Sequence, residues 1–269
     1  MEHTLKYISK TLIQQGNTVS SPGLLHGKMG LVIFFFHYAQ FTGNKTFEEE
    51  AFALIDHIQE DILHQQNIEY ADGLAGIGAG IEYLSQNGFV DANTDEILSE
   101  FDQRIFQNIV FNTRLDGKSL SGLGRYLLFR IHNKTASDYK NSTLSHKMWL
   151  IHIVDLLEQI YVQQENDSIA NIYLFLNKID KTNIFPTKVK RLIKVIKSNY
   201  SLNGLLCNQE SYRKFVVSSI CRQYDKLLIS SQVNSTSDIP LHLLYGFSGI
   251  GLYLMGLIDC RHKTWFQLL

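Results

Sequence analysis

The 269 residues are 45% hydrophobic and 12% aromatic, with 25 basic against 26 acidic side chains. That composition excludes a disordered chain and leaves no global field to hold nucleic acid or anionic lipid. A chain of this length buries one large core or two modest ones, and the expectation is a single domain over residues 1–269.

The opening stretch, Met1 to Tyr7, carries Glu2 and lacks the apolar core of a secretory signal, so a cytoplasmic protein is expected. The densest apolar run, Leu31 to Phe36, is too short to span a bilayer. Cys207, Cys221 and Cys260 are odd in number and share no close-spaced pair, which argues against a disulfide framework or a structural zinc knuckle.

In chain order, residues 3–15 read as an outer helix. A glycine cluster, Leu25-His26-Gly27-Lys28-Met29-Gly30, then opens an apolar helix, Leu31-Val32-Ile33-Phe34-Phe35-Phe36. An amphipathic segment follows at 45–65, with Phe52, Ile55, Ile58 and Ile62 at helical spacing and Asn44 as its expected N-cap. The pattern returns as Ala71-Asp72-Gly73-Leu74-Ala75-Gly76 with the amphipathic segment 94–111, capped at Thr94, and as Leu120-Ser121-Gly122-Leu123-Gly124 with 144–164. It returns again as Leu202-Asn203-Gly204-Leu205-Leu206-Cys207 with 209–230, and last as Leu244-Tyr245-Gly246-Phe247-Ser248-Gly249.

The first glycines are separated by 46, 49, 82 and 42 residues. The long step spans two periods, so one repeat near Asp167-Ser168-Ile169-Ala170, followed by the outer segment 188–198, has lost its glycines. Apolar helices of this kind are buried, amphipathic ones cover them, and nothing alternates as a strand would. The expected architecture is all-α: an α/α toroid of six inner and six outer helices, closed by the opening helix. Paired glycines at a helix start allow close approach, of a neighbouring helix or of a ligand. Gly76-Ile77-Gly78-Ala79-Gly80 follows no strand and is read as part of the repeat, not as a dinucleotide loop.

Two clusters, Tyr70-Ala71-Asp72-Gly73-Leu74-Ala75-Gly76-Ile77-Gly78 and Tyr245-Gly246-Phe247-Ser248-Gly249-Ile250-Gly251, resemble those of the lanthionine synthetase C-like family. The resemblance runs from about Ser21 to Leu257. It implies an α/α toroid. In the family's cyclases it also implies a zinc ion that activates a peptide cysteine for addition to a dehydrated Ser or Thr. The family's ligands are a Cys two residues before a late cluster glycine and a Cys-His pair before a later one. Those places hold Leu202 and Leu244-Tyr245 here, none of them a zinc ligand. No cofactor is therefore expected. Cys207 stands where the second glycine of its cluster would be, and reads either as a packed thiol or as part of a rebuilt zinc site with His26 or His242.

The residues just before the cluster glycines, His26, Asp72, Ser121, Asn203 and Tyr245, are expected to converge on one mouth. Helix N-termini there would favour an anion or a peptide carboxylate. Asp72, Ser121 and Asn203 are equally suited to cap their own helices. His26 and Asp72 are the candidates for proton transfer. Arg125 is expected to line the cavity or to pair with Glu82, beside Tyr83.

Three functions remain open on these residues. One is a family member binding a ribosomally made peptide, or its modifying enzyme, without zinc chemistry. The second is an active zinc-dependent thioether-forming cyclase with a rearranged site. The third is a carbohydrate-active toroid using two carboxylates such as Asp72 and Glu82. Neither a nucleic-acid partner nor a membrane span is expected, and the oligomeric state is not specified.

Overall fold

The computed structural model describes residues 1–112, 115–132, 141–200, 209–233 and 239–269, so the cluster containing Asn203 and Cys207 lies outside the described residues. No strand occurs among those described. The inner helices are α2 (Lys28–Thr42), α4 (Leu74–Gln86), α7 (Gly117–Ile131), α9 (Asn166–Asp180) and α12 (Phe247–Ile258). Around them lie α1 (Glu2–Gln15), α3 (Thr46–Ile62), the short α5 (Thr94–Ile97), α6 (Ser99–Phe111), α8 (Asn141–Ile160), α10 (Pro186–Asn199) and α11 (Gln209–Val233). A 3₁₀ segment, Cys260–Leu268, follows α12.

The helix-by-helix packing follows the repeat. α3 lies on α2, α6 on α4, α8 on α7, α10 on α9, and α1 on α12. Inner neighbours pack as α2 on α4, α4 on α7, α7 on α9 and α12 on α2, so the first and last repeats meet. α9 is the inner helix of the repeat without glycines, as its apolar run anticipates. Every residue of α2 from Lys28 to Ala39 is buried, whereas α3 buries only Ala51, Leu54 and Ile58. The apolar stripe of α3 is thus turned slightly from the expected one, leaving Phe52 half exposed at its flank against Phe36.

The glycines answer to packing. A Cβ on Gly78 would stand 2.5 Å from the Tyr126 ring of α7, one on Gly124 2.4 Å from Phe175 of α9, and one on Gly251 2.3 Å from Phe34 of α2. Each of these helices receives an aromatic ring from the next, and the contact from α2 to α12 brings the last repeat against the first.

This packing also corrects the register of the third repeat. Gly124 matches Gly78, so Gly122 matches Gly76, and Ser119 takes the place of Gly73. The steps from 27 to 73 and from 73 to 119 are then both 46 residues. The physical reason for the mismatch is that α7 starts one turn early. Its N-cap is Asp116, whose side chain accepts from the Ser119 N–H at 2.8 Å.

Elsewhere the caps are main-chain groups. The N–H groups of Lys28, Leu74 and Phe247, each the first residue of an inner helix, donate to the carbonyls of Ser21, Asn67 and Pro240 at 2.8, 2.9 and 2.8 Å. Each acceptor lies seven residues upstream. Asp72 therefore does not cap α4, where Gly73 is the N-cap and no side chain bonds the helix end. The expectation of free helix N–H groups facing a ligand is likewise corrected for these three helices. On the outer layer, Lys45 and Asn93 occupy the N-cap positions expected for Asn44 and Thr94, while the Asn44 Oδ1 accepts from the Thr46 N–H at 3.1 Å.

Candidate functional site

Because the loop main chains cap the inner helices, the polar residues before the glycines are released from that duty. The loops are also stitched side by side. Leu25 N–H donates to the Ala71 carbonyl at 2.8 Å, and Leu244 N–H donates to the Leu25 carbonyl at 2.9 Å. This lateral bonding brings the loops of the first, second and last repeats together at one mouth.

There, His26 Nδ1 lies 3.2 and 3.1 Å from the two carboxylate oxygens of Asp72. The two side chains, at equivalent places in successive repeats, are 43% and 37% exposed. His242 meets His26 edge to face, ring centres 5.1 Å apart. Burial, and after it the neighbouring His26, holds the His242 imidazole below its usual pKa, so this ring stays neutral at physiological pH. The Gln65 side-chain amide donates to the Asp72 carbonyl at 3.3 Å. Tyr245 shares the His242 loop. Its backbone lies in the left-handed region at φ 64°, and its ring faces Phe215 of α11 with centres 6.5 Å apart.

Ser121 and Arg125, also expected at the mouth, are engaged elsewhere. Ser121 is buried inside α7, its hydroxyl donating to the Gly117 carbonyl at 2.6 Å, a consequence of the three-residue register shift. Arg125 is also buried, with its Nη1 donating to the Leu269 carbonyl at 3.1 Å and its guanidinium over the Tyr70 ring. The expected Arg125–Glu82 pair does not form, because Glu82 is bound by Arg130. That commitment also removes Glu82 as a second carboxylate opposite Asp72, which glycoside chemistry would need. Asn203 and Cys207 lie outside the described residues.

The centre of the ring is filled by the chain itself. After α12, residues 260–269 turn back between the inner helices. Thr264 Oγ1 lies 2.7 Å from the Tyr83 hydroxyl of α4, and the Leu268 carbonyl accepts from the Tyr70 hydroxyl at 2.9 Å. The Nδ1 atoms of His262 and His37 are 2.9 Å apart, and His37 Nε2 lies 2.6 Å from the Tyr83 hydroxyl. Burial, and then His262, drives the His37 pKa down to about 3. Trp265 is fully buried in this segment. Sequence reasoning missed this plug, whose signal is Trp265 and Phe266 close behind an inner helix, and it missed His37 as a polar residue in an otherwise apolar α2.

Sequence reasoning also missed Arg130, a charge on another apolar inner helix. Its guanidinium holds Asp102 through Nη2 at 2.8 Å, Asp95 at 3.1 Å, and Glu82. Asp102 also accepts from the Tyr126 hydroxyl at 2.6 Å and bonds His146 Nε2 at 2.9 Å. Burial alone would raise the Asp102 pKa, but the bonds from His146 and Arg130 outweigh it and hold the carboxyl ionised.

The described residues do not fit the zinc site that the resemblance implies. Leu244 offers no donor atom, Tyr245 is turned to Phe215, and no group of three His, Cys, Asp or Glu among the described residues is arranged to hold a metal ion. No described helix is long and apolar enough to cross a membrane. No curated protein and no solved structure matches the chain. The sequence model of one family, described as lanthionine synthetase C-like protein, matches residues 18–200. That span covers most of the ring, from the first cluster loop to the end of α10, and with the closed all-α architecture it means that the chain belongs to the lanthionine synthetase C-like family.

Proposed function

We propose that the protein binds a peptide, or the enzyme that modifies one, during cytoplasmic maturation of a ribosomally made, lanthipeptide-type product, without zinc-dependent ring closure. The observation that carries this reading is the His26–Asp72 pair, held across two repeats and open to solvent, with Leu244 and Tyr245 where a cyclase carries Cys and His. Beneath the mouth, Leu268 and Leu269 are buried against Tyr70 and Arg125, so the site is a shallow rim. A rim of this kind suits recognition of a chain laid across it, whereas covalent chemistry gains most from a closed, water-free cavity. Asp72 supplies an acceptor for peptide N–H or ammonium groups, and His26 and His242 supply imidazole nitrogens and ring faces.

The test is a selection of random-sequence peptides by mRNA display against the wild-type protein, followed by affinity measurement with the His26→Ala and Asp72→Asn variants. The expected result is an enriched peptide group whose affinity falls about tenfold in both variants, a change of about 1.4 kcal/mol. Peptides that bind both variants as tightly as wild type would overturn the assignment of the mouth. Elemental analysis of freshly purified protein is expected to find well under one zinc per chain. Stoichiometric zinc that disappears in Cys207→Ala would overturn the zinc-free reading and establish a rebuilt cyclase site.

A further inference from the structure

The segment that fills the ring's axis is a nine-residue 3₁₀ helix, Cys260–Leu268, packed on α12 and α4. Runs of this helix longer than three or four residues are uncommon, because its hydrogen bonds are poorly aligned. Side chains of the ring fasten it instead. His37 of α2 meets His262, Tyr83 of α4 meets Thr264, and Tyr70 and Arg125 donate to the carbonyls of Leu268 and Leu269. The fit is incomplete, since Trp265 Nε1 and Arg125 Nε are buried donors with no hydrogen-bond partner among the described residues. Both donors are kept from water without a replacement, which weighs against the seated state.

The histidine contact cannot survive full protonation. A hydrogen bond between two Nδ1 atoms, here 2.9 Å apart, needs one of them without a proton. With both rings as imidazolium, two N–H groups and two positive charges would oppose each other between side chains that are each 1% exposed. Around the pair stand the Tyr83 hydroxyl of α4, the rings of Phe41 of α2 and Phe89 after α4, and Asp259 and Arg261 just before His262. Asp259 favours a charged His262 and Arg261 opposes it, and these two pair with each other at 2.6 Å. Burial outweighs Asp259 and holds the His262 pKa below its usual value.

We propose that residues 260–268 are a plug that leaves the axis as a unit on acidification, with the His37–His262 contact as its latch, while the helices of the ring stay packed. In the released state His37 meets water and takes up a proton near its ordinary value of 6.5, whereas in the seated state it does so only at about 3. Between those values the released state binds more protons, so falling pH favours release, and above 6.5 this group is insensitive to pH. From pH 7 to pH 5, His37 alone shifts the balance about 25-fold toward release. Release uncovers the Tyr70 and Tyr83 hydroxyls and the Arg125 guanidinium along the axis. The inference invokes neither His26 nor Asp72, so it does not depend on the reading of the mouth.

The experiment is native-state hydrogen exchange of the whole chain, read by mass spectrometry at pH 7 and pH 5 and corrected for intrinsic amide rates. Amides of residues 262–268 are expected to be at least about tenfold less protected than those of α4 at both pH values, because the plug opens below the free energy of global unfolding. Between pH 7 and pH 5 their protection is expected to fall by about 25-fold or more. In His37→Asn that fall is expected to shrink at least about fivefold, and in the double variant His37→Asn/His262→Asn to vanish. Protection of the segment equal to that of α4 at pH 5 makes its release identical with global unfolding and overturns the plug. No fall in wild type, or the same fall in the double variant, overturns the latch. The comparison with α4 uses wild type alone, so it decides whether or not the variants fold.

Discussion

Among the described residues are two histidine–aspartate pairs of nearly equal length and opposite consequence. His26–Asp72 spans 3.1 Å with both side chains more than a third exposed, while His146–Asp102 spans 2.9 Å with side chains 2% and 11% exposed. At the mouth, water competes for every hydrogen bond and the pair contributes little to stability, so its value lies in what else it can bind. Around Arg130, Glu82 and Asp102 are nearly shut off from water, and these buried charges depend chiefly on their protein partners. The same residue types thus make a recognition surface in one region and a structural lock in the other, and burial decides which.

The largest expected effect breaks the lock. Arg130→Met leaves Glu82 and Asp102, at 2% and 8% exposure, buried without their cation. A loss of about 3–5 kcal/mol is expected by urea denaturation. A loss under about 1 kcal/mol would mean that water enters the cluster freely.

A second expectation concerns acid. His37 is neutral in the folded ring, with its pKa at about 3 against 6.5 in an unfolded chain. Between those values the unfolded state binds more protons, so stability falls as pH drops from about 6.5 toward 3 and is flat with respect to this group above 6.5. His262, Asp259, Arg261 and the Tyr83 hydroxyl are the titratable or charged groups at or next to this contact. Urea midpoints measured at pH 7 and pH 5 are expected to differ more in wild type than in His37→Asn. An equal drop in both would place the acid sensitivity elsewhere.

The smallest effect belongs to the mouth. His26→Ala and Asp72→Asn are each expected to change stability by less than about 1 kcal/mol, as for other exposed pairs. A larger loss by thermal or urea unfolding would make the mouth structural and erase the contrast with Arg130.

Much of the fold was legible in the sequence because it repeats. The apolar runs of α2, α4 and α12 are buried all round and can only be inner helices, and the charged segments between them can only lie outside. The register of α7 was harder to read. Two glycines look alike wherever they stand, and only the rings of Tyr126 and Phe175 against Gly78 and Gly124 show which glycine matches which. Of the site, His26 and Asp72 were visible as polar residues at equivalent cluster positions. His242, three residues before Tyr245 in the final loop, reaches His26 through a main-chain bond between loops far apart in the chain.

Local patterning by itself determined the helical class, the period and the inner or outer place of the helices, since these depend on which faces of short segments avoid water. Tertiary structure alone decided the partners of the charges and the contents of the ring. Arg130 rather than Arg125 takes Glu82, residues 260–269 fill the axis, and a histidine–aspartate pair is exposed at one place and buried at another. Those outcomes depend on distances between residues well separated in sequence, and only closure of the ring fixes them.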